Sequence, residues 1–209
     1  MHSRSQDETV TVVNRFEVKG STEKFEREFR DHSHYLRGRE DFDFLVTVQL
    51  VERPEVIVHF GHWRTMRGFL NTLHDGTFQD HVEKLGPMAD TEVDQAVSVA
   101  RHLKENALVG AETVVLTRAR ILGDPSHFER RFAATAELFG RLGGFGGSDL
   151  LRSVLVPGAY TGVQWWRDGE ACERALADSG YTEQVRRMRE TADVVVERTR
   201  HVAYERGLG

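Results

Sequence analysis

The chain has 209 residues, of which 39% are hydrophobic and 29% charged, and a net charge of −5. This is globular composition, and it excludes a disordered or collagen-like chain. The basic residues are scattered among acids, so the footprint of a DNA- or RNA-binding protein is absent. The most apolar stretch, 44–51, is broken by Gln49 and is far shorter than the roughly 18 apolar residues a membrane helix needs, so no membrane partner is expected. The first nine residues have no apolar core behind Arg4, which argues against a secretory or transit leader. The lone cysteine, Cys172, can form no internal disulfide, so a reducing, cytoplasmic setting is expected.

Taken in chain order, 9–18 alternates Val10, Val12, Asn14, Phe16 and Val18 against Thr11, Arg15 and Glu17, the pattern of a half-buried strand. Gly20-Ser21-Thr22 stops it, with Ser21 or Thr22 as the cap of a helix whose apolar stripe is Phe25, Phe29, His32 and Leu36. The segments 45–51 and 56–63, separated by Glu52-Arg53-Pro54-Glu55, predict a β-hairpin. A second helical region carries Phe69, Leu73, Phe78, Val82 and Leu85, and Val93, Val97 and Val99 close with a strand over 92–99.

The same order recurs 103 residues later. Without a gap, 9–104 laid on 112–207 gives 20 identities in 96 positions, among them Phe25-Glu26-Arg27 on Phe128-Glu129-Arg130 and Trp63-Arg64 on Trp166-Arg167. Two long copies mean duplication of a whole domain. The expected organisation is a first domain at 9–100, a linker at 101–111 and a second domain at 112–207. Each copy reads β-α-β-β-α-β, the ferredoxin-like α+β unit, whose antiparallel sheet has helices on one face only. The bare faces of the two sheets predict sheet-to-sheet packing as an intramolecular α+β barrel. The chain is expected to be a monomer with a pseudo-dimeric barrel, or a homodimer.

At Gly61-His62-Trp63-Arg64, followed by Phe69, Leu73, Asp75, Phe78 and Leu85-Gly86-Pro87, the sequence resembles the antibiotic-biosynthesis-monooxygenase family. The second copy repeats the pattern with Trp165-Trp166-Arg167, Asp178 and Tyr181. The resemblance covers nearly the whole chain as two fused copies and implies a dimeric α+β barrel fold. Among the family's activities it implies a cofactor-independent oxygenase acting on an anthrone- or hydroquinone-type polyketide with O₂, or a haem-degrading monooxygenase. The haem branch has an Asn on strand one, a Trp on helix two and a ligating His about nine residues later. Here Asn14, Thr72 and His81 stand at those positions, and Thr117, Ala175 and Gln184 in the second copy. A non-catalytic accessory protein of a biosynthetic pathway is the third alternative.

Histidines 32, 34, 59, 62, 74, 81 and 102 lie in the first copy against His127 and His201 in the second, which places the expected active site in the first and leaves the second as scaffold. His32 shares the helix stripe with Phe25, Phe29 and Leu36, so burial should keep it neutral, as a general base or as a structural histidine. His81, beside Val82, could enter the same cleft or border its helix. Asn14, a lone amide on an apolar strand face, is an oxyanion donor or a structural hydrogen-bonding group. The catalytic candidates are thus Asn14, His32 and His81. Tyr35, His62, Trp63 and Phe78 are the candidates for binding an aromatic substrate. The run Gly143-Gly144-Phe145-Gly146-Gly147 follows a helix and precedes a strand, the reverse of a dinucleotide loop, so it is a helix stop. No metal motif and no flavin or nicotinamide signature is present, so no cofactor is expected, with haem as the alternative.

Overall fold

A computed structural model describes residues 6–103 and 113–209. They form two compact units, one made of the residues up to Gln95 together with Val202–Gly209, the other of Ala96–His201.

In the first unit β1 (Val10–Val18) leads to α1 (Thr22–Arg37), then to β2 (Phe42–Leu50) and β3 (Val56–Trp63). The expected second helical region is two helices, α2 (Met66–Leu73) and α3 (Gly76–Leu85). Asp75 makes the break: its carboxylate accepts from the N–H groups of Thr77 and Phe78 and starts a new helix there. A 3-10 turn, Gly86–Met88, then delivers the chain to β4 (Ala89–Leu103). The strand order is β4-β1-β3-β2. β1 and β2 both pair antiparallel with the central β3, with Asn14 opposite His59 and Val12 opposite Gly61.

Ser21 caps α1 by accepting from the Lys24 N–H, and the buried stripe Phe25, Phe29, His32 and Leu36 faces the sheet. The core beneath the helices falls into separate clusters. Phe16, Val18, Phe25, Phe29, Ile57 and Leu85 gather at one end, and Val12, Leu36, Phe42, Leu45, Trp63 and Phe69 at the other.

The second unit repeats the plan with β5 (Thr113–Ile121), α4 (Pro125–Arg141), β6 (Phe145–Ser153), β7 (Ala159–Trp166), α5 (Gly169–Leu176), α6 (Ser179–Met188) and β8 (Ala192–Arg206), in the order β8-β5-β7-β6. Of the glycine run, Gly143 and Gly144 form the turn between α4 and β6, where Gly144 takes φ 84°, and Phe145, Gly146 and Gly147 begin β6. The helix-facing core here is continuous, running from Phe128, Phe132 and Phe139 through Trp166 to Tyr181 and Met188.

The last strand of each copy is longer than its hydrophobic pattern implied. Residues 96–103 of β4 count with the second unit, where they pair with β6, and the end of β8 counts with the first, where the N–H of Gly207 donates to the Asp43 carbonyl at 2.7 Å. Arg101, His102 and Leu103, which the sequence assigned to the linker, therefore continue β4. The rest of that segment, 104–111, lies outside the described residues.

Candidate active site

A cavity of about 540 Å³ opens inside the first unit between the sheet and the helices. Its position follows from strand parity. On β1 Val12, Asn14 and Phe16 face the helices, and on β3 His59, Gly61 and Trp63 do so. α1 contributes Phe29, His32 and Leu36, α2 contributes Phe69 and Leu73, and α3 contributes Phe78, Val82 and Leu85. The wall is apolar except for Asn14, His32 and His59 in its interior and Asp90 and Thr91 near exposed Val93.

His32 is 7% exposed, and its Nδ1 is buried with no hydrogen-bond partner. Burial first, and the neighbouring His81 second, push its pKa down to about 4. Its ring lies 5.3 Å from that of Phe78 and 5.8 Å from that of Phe29. His59 is more deeply set, at 2% exposed, edge-on to Phe29 at 4.8 Å, with Thr47 Oγ1 3.3 Å from its Nδ1. Burial, reinforced by His32 and His62, pushes its pKa down to about 3. Both imidazoles are therefore neutral at physiological pH.

Among the residues singled out from the sequence, Asn14, His32, Trp63 and Phe78 meet in the cavity wall. His81 stands behind that wall, its ring 5.5 Å from His32 and 5.4 Å from Tyr35. Tyr35 is engaged elsewhere: its hydroxyl donates to Asp75 Oδ1 at 2.7 Å, and the Arg39 guanidinium covers its ring. Burial, then the bond to Asp75, raises its pKa to about 12. His62 has the opposite parity to His59, Gly61 and Trp63. It stacks on Phe44 at 4.1 Å and shares a 2.9 Å contact between its Nδ1 and Thr11 Oγ1, so it does not border the cavity. His59 is the functional candidate missing from the sequence reading. It sits in the run Val56-Ile57-Val58-His59-Phe60, where no polar alternation marks a face, and only its shared parity with Gly61 and Trp63 could have pointed to it.

The haem alternative does not fit these residues. His81 is outside the cavity wall, and buried Thr72, where an aromatic is required, donates its hydroxyl to the Gly68 carbonyl. Among the described residues no group of three His, Cys, Asp or Glu side chains could hold a metal ion, and no helix is long and apolar enough to cross a membrane.

No known family model matches the chain. In sequence it is similar to deoxynogalonate monooxygenase of Streptomyces nogalater, 37% identical over 70 residues that make up 34% of this chain and 59% of that one. The chain thus spans less than two thirds of the length of the curated relative it matches. In structure it is similar to an anthrone oxidase-like protein, with a TM-score of 0.75 over 98% of this chain and 95% of the other at 14% identity. SnoaB, a cofactor-independent oxygenase from Streptomyces nogalater, is 27% identical over 47% of this chain and 95% of its own, with a TM-score of 0.39. The fold is the tandem ferredoxin-like α+β fold, and the chain resembles the antibiotic-biosynthesis monooxygenases in sequence as well as in fold.

Proposed function

We propose that the chain is a cofactor-independent monooxygenase that oxidises a polycyclic aromatic intermediate of the anthrone or hydroquinone type with O₂. The observation that carries this reading is the first unit's cavity, whose interior is apolar except where Asn14 and His59 on the sheet face His32 on α1. The similarity to a monooxygenase whose name specifies a deoxynogalonate substrate supports the substrate class.

An anthrone needs no electron-carrying cofactor because its anion is itself the reductant. Removing a proton from the CH₂ carbon leaves an electron-rich enolate, which gives one electron to O₂. Superoxide and the substrate radical recombine through a C–O bond. The peroxide then loses water, so CH₂ plus O₂ becomes C=O plus H₂O. The protein must supply a base, donors to the developing oxyanion and a cavity that excludes water.

His32 is the base in this scheme. It is neutral and lines the cavity. Its low pKa makes it a weak base toward solvent protons, yet an imidazolium formed beside the substrate anion is stabilised by that anion. The interaction is thus strongest when charge has developed. Asn14 donates to the oxyanion, and Trp63, Phe78 and Phe69 hold the ring system. His81 acts through His32. The second unit is scaffold.

The test is O₂ uptake by metal-free and haem-free protein supplied with anthrone, with haem titrated into the same preparation. Uptake above the spontaneous rate, abolished in His32→Asn, is the expected result. No uptake together with a saturable Soret shift would overturn it in favour of haem chemistry.

A further inference from the structure

His32 has two imidazole neighbours, and they differ in their access to water. His59, on β3, is 2% exposed and closed in by Phe29 and Thr47. His81, on α3, is half-buried, and its ring lies 5.5 Å from that of His32 at an angle of 52°. Imidazoles at that separation exchange a proton through a small rotation or one intervening water. The other rings packed on His32 are those of Phe29 and Phe78, which carry no proton. His81 also meets Tyr35, whose hydroxyl is held by Asp75 and stays protonated, with a pKa of about 12. Among the described residues, His32 and His81 together form a path from the cavity wall to solvent through side chains that take up and release protons.

The pair belongs to the first unit alone. The residues 103 positions on are Thr135 and Gln184. Thr135 donates its hydroxyl to the Phe132 carbonyl and accepts from Gln164 Nε2. Neither a threonine hydroxyl nor a glutamine amide takes up a proton in water. The same plan of helices and strands is thus built with and without the two imidazoles, so the fold does not require them.

The oxygenation proposed above does not require this path either. Both hydrogens of the CH₂ carbon leave in the water that forms, so the balanced reaction draws no proton from solvent and releases none. A base connected to solvent has a second capability, one that needs no O₂. We infer that the first unit is also a keto–enol tautomerase for aryl ketones with an acidic CH₂ group, with His81 relaying protons between His32 and solvent. The inference rests on His32 as the base assigned above and adds to it a second reaction and the residue that enables it. The C–H bond breaks and its electron pair stays on the substrate as the enolate, whose oxygen accepts from Asn14. The proton passes to His32, then to His81 and water. In the return direction a solvent proton follows the same path and a new C–H bond forms. No electron leaves the substrate, so no oxidant is consumed.

The test is deuterium uptake under argon. Anthrone in D₂O with the parent chain should exchange its CH₂ hydrogens well above the spontaneous rate, as read by mass spectrometry. His81→Gln, the exchange already present in the second unit, should lower the catalysed rate about tenfold or more while the chain melts at the parental temperature, and free imidazole added to the buffer should restore it. His32→Asn should lose the exchange without rescue, because the missing base faces a cavity that the substrate fills. Exchange at only the spontaneous rate in the parent, or parental exchange in His81→Gln, would overturn the inference. So would a loss in His81→Gln that imidazole does not restore, since that loss would be structural. Failure of the proposed function has a different signature: exchange would continue under argon while the same chain consumed no O₂ in air.

Discussion

Asn14 on β1 and His59 on β3 are direct partners across an antiparallel pair, and both side chains face the cavity. Residues paired in this way have Cβ atoms about 5 Å apart, which places an amide and an imidazole side by side on the sheet with His32 on the helix side. Replacing His32 by Asn should lower kcat about 100-fold or more, the usual contribution of a positioned base. Replacing His59 by Phe should raise KM as well as lower kcat, because that ring lines the cavity beside Asn14. Steady-state O₂ uptake separates the two, and a His32→Asn enzyme with parental kcat would remove the base assigned here.

Burial of two neutral histidines makes stability depend on pH with a definite sign. An unfolded histidine takes up a proton below about pH 6.5, whereas folded His32 and His59 do so only near 4 and 3. The unfolded state therefore binds more protons across that window. The stability associated with these groups is complete above about pH 6.5 and is lost as pH falls toward 4 and then 3. Each histidine contributes a slope of at most about 1.4 kcal/mol per pH unit. Urea unfolding at pH 7.5, 5.5 and 4.5 should give a steeper decline for the parent than for a His32→Asn/His59→Asn double variant. Parallel declines would assign the effect to carboxylates instead.

Tyr35 acts on the cavity through α3. Its bond to Asp75 ties α1 to the residue that caps α3, and α3 carries Phe78 and Val82 of the cavity wall. Tyr35→Phe should cost about 1 kcal/mol of stability and raise KM several-fold with a smaller change in kcat. Asp75→Ala removes the cap as well and should destabilise by about a further 1 kcal/mol. A Tyr35→Phe enzyme whose kcat falls while KM holds would place the hydroxyl in the chemistry.

His62 supplies the control. It stacks on Phe44 on the face of β3 away from the cavity, so His62→Phe should keep kcat and KM within about twofold while losing about 1 kcal/mol with the Thr11 contact. A large fall in kcat with folding intact would mean that this face of the sheet also meets the substrate.

Much of the frame was legible without coordinates. The alternation Val10, Val12, Asn14, Phe16, Val18 has the period of a strand, and Phe25, Phe29, His32, Leu36 that of a helix face. Both arise in this molecule: the anticipated side of α1 is buried, while in β1 Asn14 is half-buried and Thr11 and Val13 on the opposite face are buried as well, so the first half of the strand is covered on both faces. Two features were not legible from period alone. Asp75 divides the second helical region because a carboxylate can cap a new helix, a local competition that apolar spacing does not record. β4 extends through Leu103 because its second half pairs with β6, and that pairing depends on residues some fifty positions away.

The sequence by itself determined the duplication, the order of elements and the faces of β1 and α1, because these follow from backbone period and from comparing the two copies. Tertiary structure decided which face of β3 meets the cavity and which helix residues are drawn away from it. His59 enters it because β3 is the central strand and its odd-numbered residues point toward the helices. His62 leaves it for the same reason, and Tyr35 is drawn off by a carboxylate 40 residues away. A side chain's partners across a sheet or between helices depend on register and packing, and neither is written in the local pattern of the chain.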